Sequence, residues 1–422
     1  MTLDRSIRPT GRGRPGLRRL LSDPSTALLV AQLITAAVAF VLNIASSRML
    51  APAGRGELAL LLQIGYLASL GLLLGTDRSV VAAFSGAPAP AVARAFGRLL
   101  RAPSGVCVLV AVGAFAAPLA GLPTWGAGLG IALLFAVVNA FVRAVRSVAI
   151  AADRRREFLA YTLTGEVFRL AVTAVLLATG SDHVVTWLAT YVLVGAVPTL
   201  VWWFRWTRGP GSASAPEATA RARTEGLVLL PSALAHSGML RLDRFLLAGL
   251  ASTAALGLYA GVATMTEVLA WPLLAFADSR LGRWRADADA GRLRLRPLVL
   301  GIAAYAVAAG AVVGGAVALV LVPLLGPEFA PAGALVWPLV AAAMVFGVSQ
   351  IAITLLIAHR RSSAASVVEV VGFAVSVVAF VVLIGPYGAA GAAYGSLLGY
   401  LGCLVVALVV LARVRAATRR AP

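Results

Sequence analysis

The chain contains no lysine; all 36 of its basic residues are arginine. That excludes a phosphate loop of the Gly-Lys-Ser type and any Schiff-base lysine. Cysteine is nearly absent too. Cys107 and Cys403 both fall in apolar runs and read as packing residues, so no disulfide framework is expected. The three histidines, His183, His236 and His359, are scattered, no metal-ligand spacing exists, and neither a metal nor a cofactor is expected. Charge is sparse as well, at 13% of the chain against 60% hydrophobic residues and a mean hydropathy of +0.91. A soluble globular protein is excluded by that balance.

Long apolar runs take the place of everything missing. They recur along all 422 residues with only short polar breaks, and a run of about 20 is enough to cross a bilayer as a helix. The pattern predicts an all-α polytopic membrane protein with 12 transmembrane helices in two six-helix bundles. The expected divisions are a basic tail (1–24), a first bundle (25–206), a linker rich in Gly, Ser, Ala, Pro and Arg (207–224), a second bundle (225–412) and a second basic tail (413–422). No cleavable signal peptide is expected, because the Arg- and Pro-rich start leads straight into a full-length span. The aromatic group Trp202-Trp203-Phe204-Arg205-Trp206, at the end of the first bundle, suits a headgroup interface. With twelve spans, 28 of the arginines fall on one side, only Arg48 and Arg55 on the other, and six within spans. By the positive-inside rule both termini are cytosolic. The net charge of +19 is thus topogenic, and without stacking aromatics or a fold motif it does not point to nucleic acid.

One span departs from the apolar pattern. The run from about Leu227 to Leu250 carries Arg241, Asp243 and Arg244. Each charge costs roughly 2.5–3.5 kcal/mol at the centre of a lipid-facing helix, so these three must face protein or a wet cavity. Arg241 and Arg244 share a helix face, while Asp243 points elsewhere and is expected to tie the span to a neighbouring arginine. Pro231 is expected to bend the same helix.

An internal repeat accompanies the halves. Gly56 and Asp77 recur as Gly257 and Asp278, each 201 residues later, with Leu58-Ala59 in register with Tyr259-Ala260. Halves of even span count repeat in one orientation about an axis along the membrane normal, and the substrate site lies between them.

Several stretches resemble one family. Ser47-Arg48-Met49-Leu50-Ala51-Pro52-Ala53-Gly54-Arg55-Gly56-Glu57 resembles the first connector of the polysaccharide flippases, the lipid-linked oligosaccharide exporters of the MOP superfamily. Arg241 to Leu250 followed by Leu256-Gly257-Leu258-Tyr259 resembles their seventh span and its connector. Gly326-Pro327-Glu328-Phe329 and Gly385-Pro386-Tyr387-Gly388 resemble two later turns. The resemblance implies an alternating-access transporter, not an enzyme, in a bacterial cytoplasmic membrane. Its implied substrate is a polyprenyl-diphosphate-linked glycan, with membrane lipids and polysaccharide polymerase or glycosyltransferase machinery as partners. The alternatives are a MATE-type drug or cation antiporter of the same superfamily and a membrane glycan polymerase or acyltransferase. Few acids in the first half weigh against the antiporter, and short outer loops weigh against the enzyme.

Diphosphate is anionic and arginine grips its oxygens through a planar fork of donors. Arg241 and Arg244 are therefore the leading substrate contacts, set against a role in locking helices together. Arg169, Glu166, Asp243, Glu267 and Trp271 complete the candidate cavity. Glu166 and Arg169 also suit a self-contained i,i+3 pair, and Trp271-Pro272 a packed kink. Asp77, Arg78, Asp278 and Glu369 are candidates for gating or coupling. Arg143 and Arg146 are expected to snorkel to headgroups, and Arg48 and Arg55 to be ordinary interface charges.

Overall fold

The computed structural model describes residues 24–117, 126–208, 216–290, 292 and 295–420, all α- or 3-10-helical apart from short turns and connectors. The N-terminal tail lies outside them, as does the middle of the expected linker. The helices are α1 (Pro24–Leu73), α2 (Thr76–Ala83), α3 (Ala89–Ala116), α4 (Gly126–Ala151), α5 (Arg155–Ala178), α6 (Val184–Thr207), α7 (Pro216–Leu250), α8 (Thr253–Thr266), α9 (Trp271–Asp289), α10 (Leu295–Leu325), α11 (Val336–Ala358) and α12 (Ser362–Arg420). Among the described residues, nine helical stretches are long and apolar enough to cross a membrane. Large apolar side chains face outward, Leu319 at 79% exposure and Leu109 at 72%, as a lipid-facing belt requires.

Two of the nine are double-length. α1 is two rods meeting at Ala51 (φ 54°, ψ 176°), and α12 is two rods meeting at Gly388 (φ 52°, ψ −127°). Pro52 explains the first break: it has no N–H for the preceding turn, and its ring pushes the residue before it out of the helical region. The expected linker is helical from Pro216 onward, and α7 continues as one helix through Pro231.

The eighth span is broken in mid-course. A 3-10 turn, Glu267–Ala270, separates α8 from α9, and the Leu269 carbonyl accepts a hydrogen bond from Tyr305 Oη of α10 at 3.2 Å. A side chain from a neighbouring helix thus satisfies backbone that could not be left bare in lipid.

Four buried clusters fill the interior. Two are built around α1–α6, one of them also taking in Ala222 of α7. The other two are built from α7–α12, and Ala59 of α1 joins the larger. The sequence half-repeat is therefore visible in the packing, with α1 and α7 each reaching across. Trp206, expected at the headgroup level, is buried and donates from its indole to Glu157 at 2.9 Å.

Two glycine contacts stand at the ends of the seam between the halves. At one end the second rod of α1 crosses the first turns of α8. A Cβ on Gly56 would lie 1.7 Å from the Thr253 carbonyl oxygen, and one on Gly257 would lie 1.8 Å from the Pro52 carbonyl oxygen. These contacts are reciprocal: Gly56 is 201 residues from Gly257 and Pro52 is 201 residues from Thr253, the offset of the repeat. A pseudo-twofold axis therefore passes between Gly56 and Gly257, and only a glycine backbone fits there. At the opposite end Gly75 (φ +71°) abuts the Gly226 carbonyl of α7, and Ser79 donates to the Ala222 carbonyl at 2.6 Å.

Candidate functional site

α7 lies against α1 and α8 along the seam between the halves, so its three charges are held in protein, as their cost in lipid demands. Arg241 has its guanidinium 5.7 Å from the Tyr66 ring centroid, and no acidic partner is recorded for it among the described residues. Arg244 pairs with Glu267 at 2.6 Å, its side chain 12% exposed against 47% for Glu267. The two arginines predicted to act alike are therefore unequal: one is neutralised and the other is not.

Asp243 is buried, at 6% exposure, but its partner is not the expected arginine. Tyr259 donates its hydroxyl to Asp243 Oδ2, the Arg244 backbone N–H donates to Oδ1 at 2.8 Å, and Tyr259 in turn lies 3.3 Å from Ser396 Oγ. The sequence expectation failed here because a tyrosine in an apolar run looks like a packing residue until its hydroxyl is placed.

Across the seam, Tyr66 also meets Arg143 of α4, which sits 5.9 Å from the ring centroid with Nη1 3.4 Å from the phenol oxygen. Arg143 does not snorkel to the surface. It pairs with Asp77 of α2 at 2.7 Å, while Ser147 donates to the Asp77 carbonyl at 3.1 Å. Asn139 of α4 donates to Ser69 at 2.8 Å, one turn from Tyr66. A polar strip thus runs along α4 and the second rod of α1, and Tyr66 joins it to Arg241 of the other half. None of Tyr66, Ser69 or Asn139 was singled out by sequence. Only their spacing to Asp77 and Arg143 on separate helices gives them meaning.

The remaining predictions fall into three groups. Glu166 and Arg169 pair with each other at 3.1 Å on α5, the self-contained arrangement. Trp271 opens α9 at 41% exposure, and Glu369 on α12 neighbours Cys403. The backbones of Arg78 and Asp278 lie in α2 and α9, while their side chains fall outside the described residues.

The two charges taken for interface residues are both engaged by protein groups. Arg48 donates from Nε to the Leu324 carbonyl at 2.8 Å and from Nη2 to that of Pro323, so a cation caps the C-terminal end of α10. Arg55 is buried at 9% exposure and donates to Asn43 Oδ1 at 2.8 Å, while Asn43 donates to the Gly261 carbonyl at 3.1 Å. An apolar groove of about 540 Å³ on α12, walled by Val375, Val378, Val382 and Leu398, carries no group able to act on a substrate.

No family model and no curated protein matches the sequence. Solved structures do match in shape. An inward-facing multidrug-resistance MATE transporter of the MOP superfamily aligns at a TM-score of 0.61 and 13% identity, over 90% of this chain and 95% of its own. The MATE multidrug transporter DinF-BH, solved as a complex, aligns at 0.62 and 15%, over 97% and 98%. The eukaryotic MATE transporter AtDTX14 aligns at 0.56 and 11%, over 94% and 98%. The chain has the fold of these transporters along nearly its whole length.

Proposed function

We propose that this chain is an alternating-access membrane transporter whose central site takes an anion. Arg241 is the observation that carries this reading. It is a cation on the seam between two repeated halves, seated on the Tyr66 ring and without a recorded carboxylate partner. Two other seam arginines, Arg143 and Arg244, already have Asp77 and Glu267. An exporter of cations would need the opposite imbalance.

The substrate class we infer is a glycan carried on a polyprenyl diphosphate, moved from the cytosolic to the outer leaflet for polysaccharide assembly. The diphosphate would engage Arg241, the sugars would lie among Tyr66, Trp271 and the polar strip, and the isoprenoid would stay in lipid. In this reading the protein crosses a bacterial cytoplasmic membrane twelve times with both termini inside. It hands its cargo to polymerase or glycosyltransferase machinery, and ion or voltage gradients drive it, since a charge crossing 100 mV gains about 2.3 kcal/mol.

A second reading, a MATE-type multidrug exporter, draws support from the fold of DinF-BH and from Glu267, whose carboxylate is half exposed at the seam. One substitution separates the two. Arg241→Gln should reach the membrane in normal amount and cause lipid-linked glycan to accumulate on the cytosolic leaflet. Drug sensitivity that rises with Arg241→Gln or Glu267→Gln while lipid-linked glycan is unchanged would favour the exporter reading instead.

A further inference from the structure

We propose that Arg55 is the core of a second anion-binding station, at the Gly56–Gly257 crossing, which a phosphate or diphosphate group occupies separately from Arg241. The inference rests on the anion-transport reading and deepens it, because it supplies a place for the anion nearer the end of the seam.

Arg55 is nine-tenths buried, and among the described residues its hydrogen bond goes to a neutral amide, Asn43, and its Nε has no partner. Among the described residues no carboxylate pairs with it. Glu57, two residues on, is exposed and points away, since two helical steps turn a side chain to the opposite face. The nearby ionisable groups are Tyr191, a neutral phenol, and Arg244, another cation whose own Nε is unpartnered. Glu267 and Asp243 stand beside Arg244 and leave Arg55 without a counter-charge.

Backbone dipoles add to the same sign. Arg55 lies in the first turns of the rod that starts after Ala51, and that rod crosses the first turns of α8, which starts at Thr253. The positive end of its own rod therefore lies beside a buried arginine, an arrangement that favours an anion and disfavours a lone cation. Asn43, which holds Arg55, occupies the repeat position of Arg244, 201 residues earlier. The two residues face the axis from opposite halves. One half thus supplies the arginine directly from its first span, and the other supplies it from the next rod through an amide.

The test uses the full chain in nanodiscs of zwitterionic lipid, titrated calorimetrically with inorganic pyrophosphate at fixed ionic strength. The expected stoichiometry is two for the native chain and one for each of Arg55→Gln, Asn43→Asp and Arg241→Gln. Asn43→Asp provides the missing negative charge from within, at the expense of its bond to the Gly261 carbonyl. Arg55→Gln should also raise Tm in anion-poor buffer, because it removes an uncompensated buried charge. If Arg55→Gln and Asn43→Asp both keep two sites, or if Arg55→Gln lowers Tm, Arg55 is a structural cation and the station does not exist. In that case Arg241→Gln still dropping to one site would leave the anion reading standing. No pyrophosphate binding by the native chain, or equal heats from sodium chloride, would overturn both.

Discussion

The two ends of the seam are closed differently. At Gly56–Gly257 the contact is reciprocal: backbone meets backbone, each half gives the same residue, and the pairing obeys the repeat offset. At Gly75–Gly226 it is one-sided: a glycine in the left-handed region at the α1–α2 break takes the carbonyl of α7, with a serine hydroxyl beside it. A symmetric contact relates the halves in the same way from either side, as in the interface of a twofold dimer. An asymmetric one fixes a single relative arrangement. The lesson is that the Gly56 end fastens the two halves by the same contact from either side, while the Gly75 end is held by a backbone turn of one half and a carbonyl of the other.

The largest effect should come from attacking the symmetric end. Gly56→Ala or Gly257→Ala places a methyl well inside van der Waals contact with a carbonyl, so the rods must part by about 2 Å to restore ordinary separation. Transport should fall more than tenfold. Gly71→Ala and Gly249→Ala, where a Cβ meets nothing within 4 Å, should be indistinguishable from the native chain in the same assay. Equal behaviour of the four variants would remove the distinction between the ends.

Next in size is Tyr259→Phe, which takes a hydroxyl from buried Asp243 and should cost about 1–3 kcal/mol of stability, measurable as lowered Tm. Unchanged stability would mean Asp243 is satisfied otherwise. Gly75→Ala should lower Tm as well, because the resistance of an L side chain to a positive φ, about 1 kcal/mol, adds to the clash of a Cβ that would lie 2.2 Å from the Gly226 carbonyl oxygen. It should do so with or without pyrophosphate, since the strain is in the backbone. The smallest effect is expected of Arg48→Gln, which loses a charged cap on α10 worth about 0.3–1 kcal/mol. Its Tm shift should shrink further in high salt.

Much of this contrast was legible in advance, and the part that was not has a physical cause. The 201-residue register of Gly56 with Gly257 could be read directly, because a backbone crossing tolerates only glycine and so leaves a mark in sequence. The charges on α7 could be read because lipid makes any charge conspicuous. Their partners could not. Arg143 sits near the end of its apolar run, where snorkelling explains it fully, and its acid is 66 residues away on α2. Arg55 sits in a connector that looks exposed, and only the crossing of α1 with α8 buries it. Tyr66 and Tyr259 are single aromatics in apolar runs, and nothing local distinguishes a ring that packs from one that holds a guanidinium or a carboxylate.

The 3-10 turn between α8 and α9 bears on how fast such a machine can run. Its first residue is Glu267, the counter-ion of Arg244, and its freed carbonyl at Leu269 is held by a single phenol from α10. Swinging α9 about this turn therefore breaks one hydrogen bond, a net of about 1 kcal/mol, in place of a whole helical turn. That local cost is small, so the time such a bend would take is set by the repacking of the helices around it, which for hinge motions falls in the microsecond-to-millisecond range. Because Glu267 is the first residue of this turn, a bend there would also change how completely Arg244 is neutralised, tying the course of the eighth span to the charge of the seam.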